Sequence, residues 1–139
     1  MRAVVHRPGA GFPDDIDEVV ADLASPGSLE LALRGARAAY YIPPALSERE
    51  VEFARHVMDA ADAADLPRLV YHSVMHPQTP SMPHHWRKWR AEETLRASDL
   101  AWTIVQPAMY AQSVLALLNR RRTMLRLGYD PDQRFTLID

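Results

Sequence analysis

The chain has no cysteine. That excludes a disulfide framework, a thiol nucleophile and any thiolate metal site. Glycine is scarce too, at five residues in 139. None of the five builds a G-x-G-x-x-G or a Walker loop, the local patterns that cradle phosphate with backbone amides. There is no excess of positive charge: the formal net charge is −2, which leaves no electrostatic footprint for nucleic acid or an anionic membrane. No apolar run reaches transmembrane length, and the N-terminus lacks the apolar core of a signal peptide. These absences predict a soluble cytoplasmic protein with neither nucleic acid nor membrane as a direct partner.

What the chain does have is apolar residues (47%) and eleven prolines. That is enough core for a single domain over residues 1–139. The prolines act as punctuation. Arg2–Val5 (RAVV) reads as a strand before the His6-Arg7-Pro8-Gly9 turn, and Glu18–Ala21 (EVVA) as a second strand ending at Asp22. Ser25-Pro26 starts a helix with Ser as N-cap, and Gly35 stops it. Ala38–Ile42 is a third strand closed by Pro43-Pro44. Ser47 and Glu50 have capping-box spacing ahead of a helix to about Asp65, whose Val51, Ala54, Val57, Met58 and Ala61 share one face. Leu69–Tyr71 and Ala101–Val105 read as strands around a helix over Pro83–Ala97, with Ser81 as its N-cap. A helix over Tyr110–Arg121 and a strand over Arg134–Ile138 follow.

Alternating apolar strands and helices predict an α/β fold with a parallel sheet. In such sheets ligands sit outside the carboxyl ends of the strands. The ends of the βαβ unit carry Ser73, His76, Gln106, Pro107 and Tyr110, and its helix carries Lys88. Among the bland readings, Glu92 and Glu93 form a solvated helix face, Trp86 and Trp89 pack against the sheet or a missing segment, and Arg120–Arg122 is a helix-terminal charge cluster. His72 and His76 straddle a strand end and do not make a metal site.

Six segments stand in a recognisable order and spacing: Val5-His6-Arg7-Pro8; Val20-Ala21-Asp22-Leu23; Tyr41-Ile42-Pro43-Pro44; Leu69 to Val74; Lys88 with Glu92, Glu93 and Leu95; and Trp102 to Pro107. With them the chain resembles the NmrA-like family, atypical short-chain dehydrogenases/reductases with an NAD(P)-binding Rossmann fold. The resemblance implies a Rossmann-like parallel sheet flanked by helices. Family members open with a strand and a glycine-rich turn that are not found here. Met1 falls where the second family strand begins, so the expectation is a domain truncated at both ends. The seam left at the centre of the sheet would close by direct pairing of Arg2–Val5 with Ala38–Ile42, be filled by another chain, or leave a loose, associating fold, with possible homo-oligomers.

The resemblance also implies roles. Arg7 would pair with the 2′-phosphate of NADP(H), favoured over NAD(H) because no acidic residue occupies this strand end. Asp22 would lie near the adenine, with an Asx turn as the plain alternative. Ile42 and Pro43 would line the cofactor groove. Ser73 and Lys88 would serve both cofactor and catalysis, and His84, one helical turn before Lys88, stands where the superfamily's catalytic tyrosine would be and is a candidate acid. Pro107 and Tyr110 would border nicotinamide or substrate. The function implied is an NAD(P)(H)-dependent oxidoreductase or a redox-sensing regulator, with a small-molecule substrate or a regulatory protein as partner. The alternatives are a form without cofactor that acts by association, or a nonfunctional remnant.

Overall fold

Proline and glycine set several of the element limits in the computed structural model, which describes residues 1–113 and 136–138. The elements are β1 (Arg2–Val5), β2 (Asp17–Val20), α1 (Pro26–Leu33), β3 (Ala39–Tyr41), α2 (Glu50–Ala63), β4 (Leu69–His72), α3 (Pro83–Arg96), β5 (Trp102–Val105), β6 (Met109–Tyr110) and β7 (Leu137–Ile138). β3 stops ahead of Pro43 and β5 ahead of Pro107, because proline cannot donate to a ladder. Pro26 and Pro83 open α1 and α3, where their missing N–H costs nothing. Gly35 ends α1 at φ +71°, the left-handed conformation glycine adopts without strain.

Several boundaries and caps differ from the sequence expectation. β2 begins at Asp17, one residue earlier, and α2 ends at Ala63, where Leu66 N–H donates to the Ala61 carbonyl (2.9 Å) across a left-handed Asp65. Met82, not Ser81, is the N-cap of α3, and Ser25 caps α1 without a side-chain bond. Ser28 instead fastens the chain entering the helix: its hydroxyl donates to the Ser25 carbonyl (2.8 Å) and accepts from Asp22 N–H (3.0 Å). The Ser47–Glu50 capping box does not form, because Glu50 is drawn into the interior by stronger partners. Tyr110 belongs to β6 and a helix begins at Ala111; the rest of that expected helix, Arg120–Arg122, and Arg134 with Phe135 lie outside the described residues.

The chain divides into two compact units, Met1–Gln106 and Pro107–Asp139. In the second, β6 runs parallel to β7 with Met109 opposite Leu137. In the first, all strands are parallel but fall into two sheets, β1-β2 and β3-β4-β5. The helices are continuous where the strands are not: α1 packs on β2 and α2, α2 on α3, and α3 on β5. One apolar core underlies both sheets, from Leu29 and Leu33 of α1 through Ala54, Val57 and Met58 of α2 to Leu69, Tyr71 and Leu95.

The anticipated direct pairing of Arg2–Val5 with Ala38–Ile42 does not occur. The Arg2 guanidinium donates to the carbonyls of Ala32 (2.7 Å) and Arg34 (3.1 Å), tying β1 to the C-terminus of α1, where a cation is favoured by the helix dipole. A cavity of about 1120 Å³, lined by both strands and the two helices beneath them, lies between β1 and β3.

Candidate functional site

At the carboxyl end of β4 the register turns Leu69 and Tyr71 inward, while Val70 and His72 take the opposite face and are half-buried. Tyr71 is fully buried, and its hydroxyl donates to Glu50 Oε1 at 2.8 Å. Lys88 reaches the same oxygen from α3, with Nζ at 2.7 Å, and also donates to the His72 carbonyl at 3.4 Å. Its ammonium stands 5.7 Å from the centroid of the Tyr71 ring. Glu50 is 1% exposed, so its charge is sustained by this pair of donors and not by water. Burial, and then the Glu50 carboxylate, push the hydroxyl pKa of both Tyr71 and Tyr41 well above the ordinary phenol value.

Ser73, next in the chain, is 2% exposed, and its amide donates to the Val105 carbonyl at 2.8 Å. Its Oγ and the Tyr41 hydroxyl are buried without a hydrogen-bond partner among the described residues. On the other face of β3 and β4, the Tyr40 hydroxyl and His72 Nδ1 are hydrogen-bonded at 2.7 Å. Burial, then the nearby Lys88 ammonium, lower the His72 pKa.

His84 is half-buried in the first turn of α3, edge-on to His85 at 4.5 Å between centroids. Burial first, then the charges of His85 and Arg87, lower its pKa below the ordinary histidine value, with Glu50 opposing. A neutral ring accepts a proton more readily than it gives one. His85 is held through Nδ1 to the His76 carbonyl at 3.1 Å, and His76 itself has a left-handed backbone at φ +53°.

At the β1 end, Arg7 is exposed and has no side-chain partner among the described residues. Glu18, from the neighbouring strand, accepts from Gly9 N–H at 2.8 Å. This corrects the expectation of an end without acidic groups: the carboxylate arrives across the ladder and not along the chain. Asp22 accepts from Ala24 N–H at 2.8 Å, the plain Asx turn. Ile42 is exposed and Pro43 buried at the end of β3. Pro107 and Tyr110 belong to the second unit.

Three further expectations are corrected. Glu92 is not solvated: it is fully buried, accepting from Arg96 (2.6 Å) and from Gln106 Nε2 (2.9 Å), and so ties α3 to the end of β5. Trp86 is substantially exposed, and Trp89 lies against the Arg96 guanidinium at 5.0 Å. Glu50 is the centre of the cluster and not half of a capping box. The signal was present, since Glu50 continues the stripe of Ala54, Val57, Met58 and Ala61 at helical spacing. A carboxylate on an apolar stripe asks for a buried partner.

Among the described residues no three His, Asp or Glu side chains converge as a metal site, and no helix is long and apolar enough to cross a membrane. The residues present fit one part of a dinucleotide: Lys88 reaches the end of β4, and among the described residues Ser73 Oγ and the Arg7 guanidinium have no partner. No glycine turn opening a helix follows β1 to receive a pyrophosphate.

A family profile described as NAD(P)H-binding matches residues 3–131. Among curated proteins no sequence matches. The fold is similar to that of an NADPH-dependent quinone oxidoreductase from Escherichia coli in complex with NADPH (TM-score 0.74, 24% identity, covering 83% of this chain and 42% of that one). It is similar also to Citrobacter sp. triphenylmethane reductase with NADP(H) (0.65, 18%, 71% and 35%). A third likeness is a nucleoside-diphosphate-sugar epimerase from Staphylococcus aureus (0.73, 17%, 84% and 44%). The chain thus spans less than half the length of each. With the profile running through almost all of its sequence, and parallel strands flanked by helices throughout the first unit, the chain belongs to the NAD(P)H-binding family.

Proposed function

We propose that the chain binds NADP(H) in preference to NAD(H) across the carboxyl ends of β1, β3 and β4, and serves reduction of a small carbonyl or quinone. The observation that carries this reading is the Lys88–Glu50 pair beside Ser73. Lysine has three N–H donors; Glu50 and the His72 carbonyl take two, leaving one for a ligand oxygen. Because Glu50 balances its charge, Lys88 suits a neutral hydroxyl or carbonyl better than a phosphate. Arg7 supplies the group that suits the 2′-phosphate, as a planar fork with five donors. When bound, the cofactor supplies a hydride. Ser73 Oγ–H would then donate to the acceptor oxygen, which takes up one proton from solvent by way of His84 to balance the hydride.

Titrating the purified chain with NADPH and NADH, followed by cofactor fluorescence, tests the proposal. Saturable binding that is tighter for NADPH, with a loss of roughly tenfold or more for Arg7→Ala confined to NADPH, is the expected result. Equal affinity for both cofactors, or none, overturns it. NADPH consumption with a quinone separates catalysis from sensing: binding without turnover makes the chain a sensor.

A further inference from the structure

We propose that Arg87 anchors the carboxylate of the molecule this site reduces, so that the substrate is an oxo acid and not an uncharged carbonyl compound. The inference deepens the proposed reduction and takes its chemistry from that reading; the anchoring itself stands on the residues of α3. Those residues leave one charge unmatched. Arg90 pairs with Glu93 at 3.4 Å, Arg96 with Glu92 at 2.6 Å, and Lys88 with Glu50 at 2.7 Å. Arg87 is the remaining arginine of the helix, and it has no carboxylate partner among the described residues. No acidic residue stands in the first turn of α3 to supply one.

An exposed arginine loses little by standing alone, because surface ion pairs are worth little. Arg87 is not of that kind. It is half-buried, and its Nε is buried with no hydrogen-bond partner among the described residues. A guanidinium stays protonated at any ordinary pH, so it does not escape by losing its proton. A buried N–H without an acceptor is rare in folded proteins and asks for a partner that the fold itself does not hold. A water molecule there would accept from Nε and leave the charge unmatched. A carboxylate does both, taking Nε and one terminal nitrogen as a fork.

The helix also brings Arg87 to the reacting groups. His84, Arg87 and Ala91 repeat at helical spacing, and Ala91 is fully buried, so this stripe faces inward. Lys88 is the next residue and holds the end of β4 through the His72 carbonyl at 3.4 Å. After burial and the neighbouring His85, the charge of Arg87 lowers the pKa of His84, and Lys88 and Glu50 act on the same ring. An entering anion meets little repulsion, since the buried carboxylates Glu50 and Glu92 already have their cations. Lys88 is neutralised and Arg87 is not, so the carbonyl oxygen belongs at Lys88 and Ser73 and the carboxylate at Arg87.

The probes are phenylglyoxylate, a 2-oxo acid, and its methyl ester, which keeps the carbonyl and loses the charge. Binding of each to the 139-residue chain without cofactor is read by saturation-transfer NMR of the phenyl protons. The acid should bind roughly tenfold or more tightly than the ester. Arg87→Gln should abolish that preference by weakening the acid alone. Arg87→Lys should restore only part of it, because the fork is lost. Since Arg87 has no partner among the described residues, the glutamine variant should keep the wild-type circular dichroism spectrum; if it does not, the acid-to-ester ratio of the unaltered chain decides. Three results overturn the proposal: equal or absent binding of acid and ester by the wild-type chain, an equal loss of both in Arg87→Gln, and a loss in that variant confined to NADPH, which would make a cofactor phosphate the anion. An NADPH titration of the wild-type chain reads the reduction separately: no cofactor binding with the acid preference intact removes the reduction and keeps the anion site.

Discussion

Glu50 shows what a single buried carboxylate does here. It receives two donors and almost no water, so removing either the acceptor or its cation leaves the other charge stranded. Glu50→Ala should cost about 3 kcal/mol or more of unfolding free energy, read from urea denaturation. The double change to Glu50→Gln with Lys88→Met should recover part of that loss, since no charge remains buried. If the single change costs under about 1 kcal/mol, Lys88 is solvated and the pair is unimportant. His72 gives a pH dependence with a definite sign. Its pKa is lowered in the folded chain by burial and then by Lys88, and a neutral ring lets Nδ1 accept from Tyr40. The unfolded chain therefore takes up the proton first, starting near its ordinary value of about 6.5. Stability should be level above that pH and fall below it, and His72→Gln should reduce the slope; His84, shifted the same way, supplies the remainder. Denaturation midpoints across mildly acidic pH are the measurement, and midpoints rising on acidification would contradict the assignment. Of these residues the sequence singled out Lys88, Ser73 and His84 as candidates by position. It hid Glu50, Glu92 and Tyr71, because burial of a polar group depends on partners 21 and 38 residues away for Glu50, and the glutamine that reaches Glu92 comes from the following strand.

Elements were more readable than residues, because prolines and apolar periodicity act locally. The ends of β3 and β5, both limits of α1 and the start of α3 follow from proline or glycine. The caps did not follow, since Ser25, Ser47 and Ser81 each matched a cap pattern, and none makes the side-chain cap bond. Gly35 tests the local rule. A Cβ there would meet nothing within 4 Å, and φ is +71°, so the penalty of Gly35→Ala is purely conformational. It should be about 1 kcal/mol, measured as a lowered thermal midpoint, and smaller for Gly35→Asn. Equal stability of the alanine variant would mean that α1 does not end as described.

For the whole molecule, the parallel α/β class was visible in the alternation of strand and helix, but the division of the first unit into two sheets was not, because sheet order is a long-range property. The helices alone continue across the gap. Cofactor binding offers a global measurement: at one hundred times its Kd, NADPH should add about 2.7 kcal/mol to stability. A thermal midpoint that is indifferent to NADPH would place the family's cofactor function outside this stretch of chain.

The aromatic pair at the centre of the first unit has an optical consequence. Tyr41 and Tyr71, with ring centroids 5.9 Å apart, surround Glu50 and hold on to their protons far into the alkaline range. A phenolate absorbs in the near ultraviolet where a phenol does not. In strong base these two would give their phenolate colour late, only as the core opens. The delay is a clock for unfolding that needs no label.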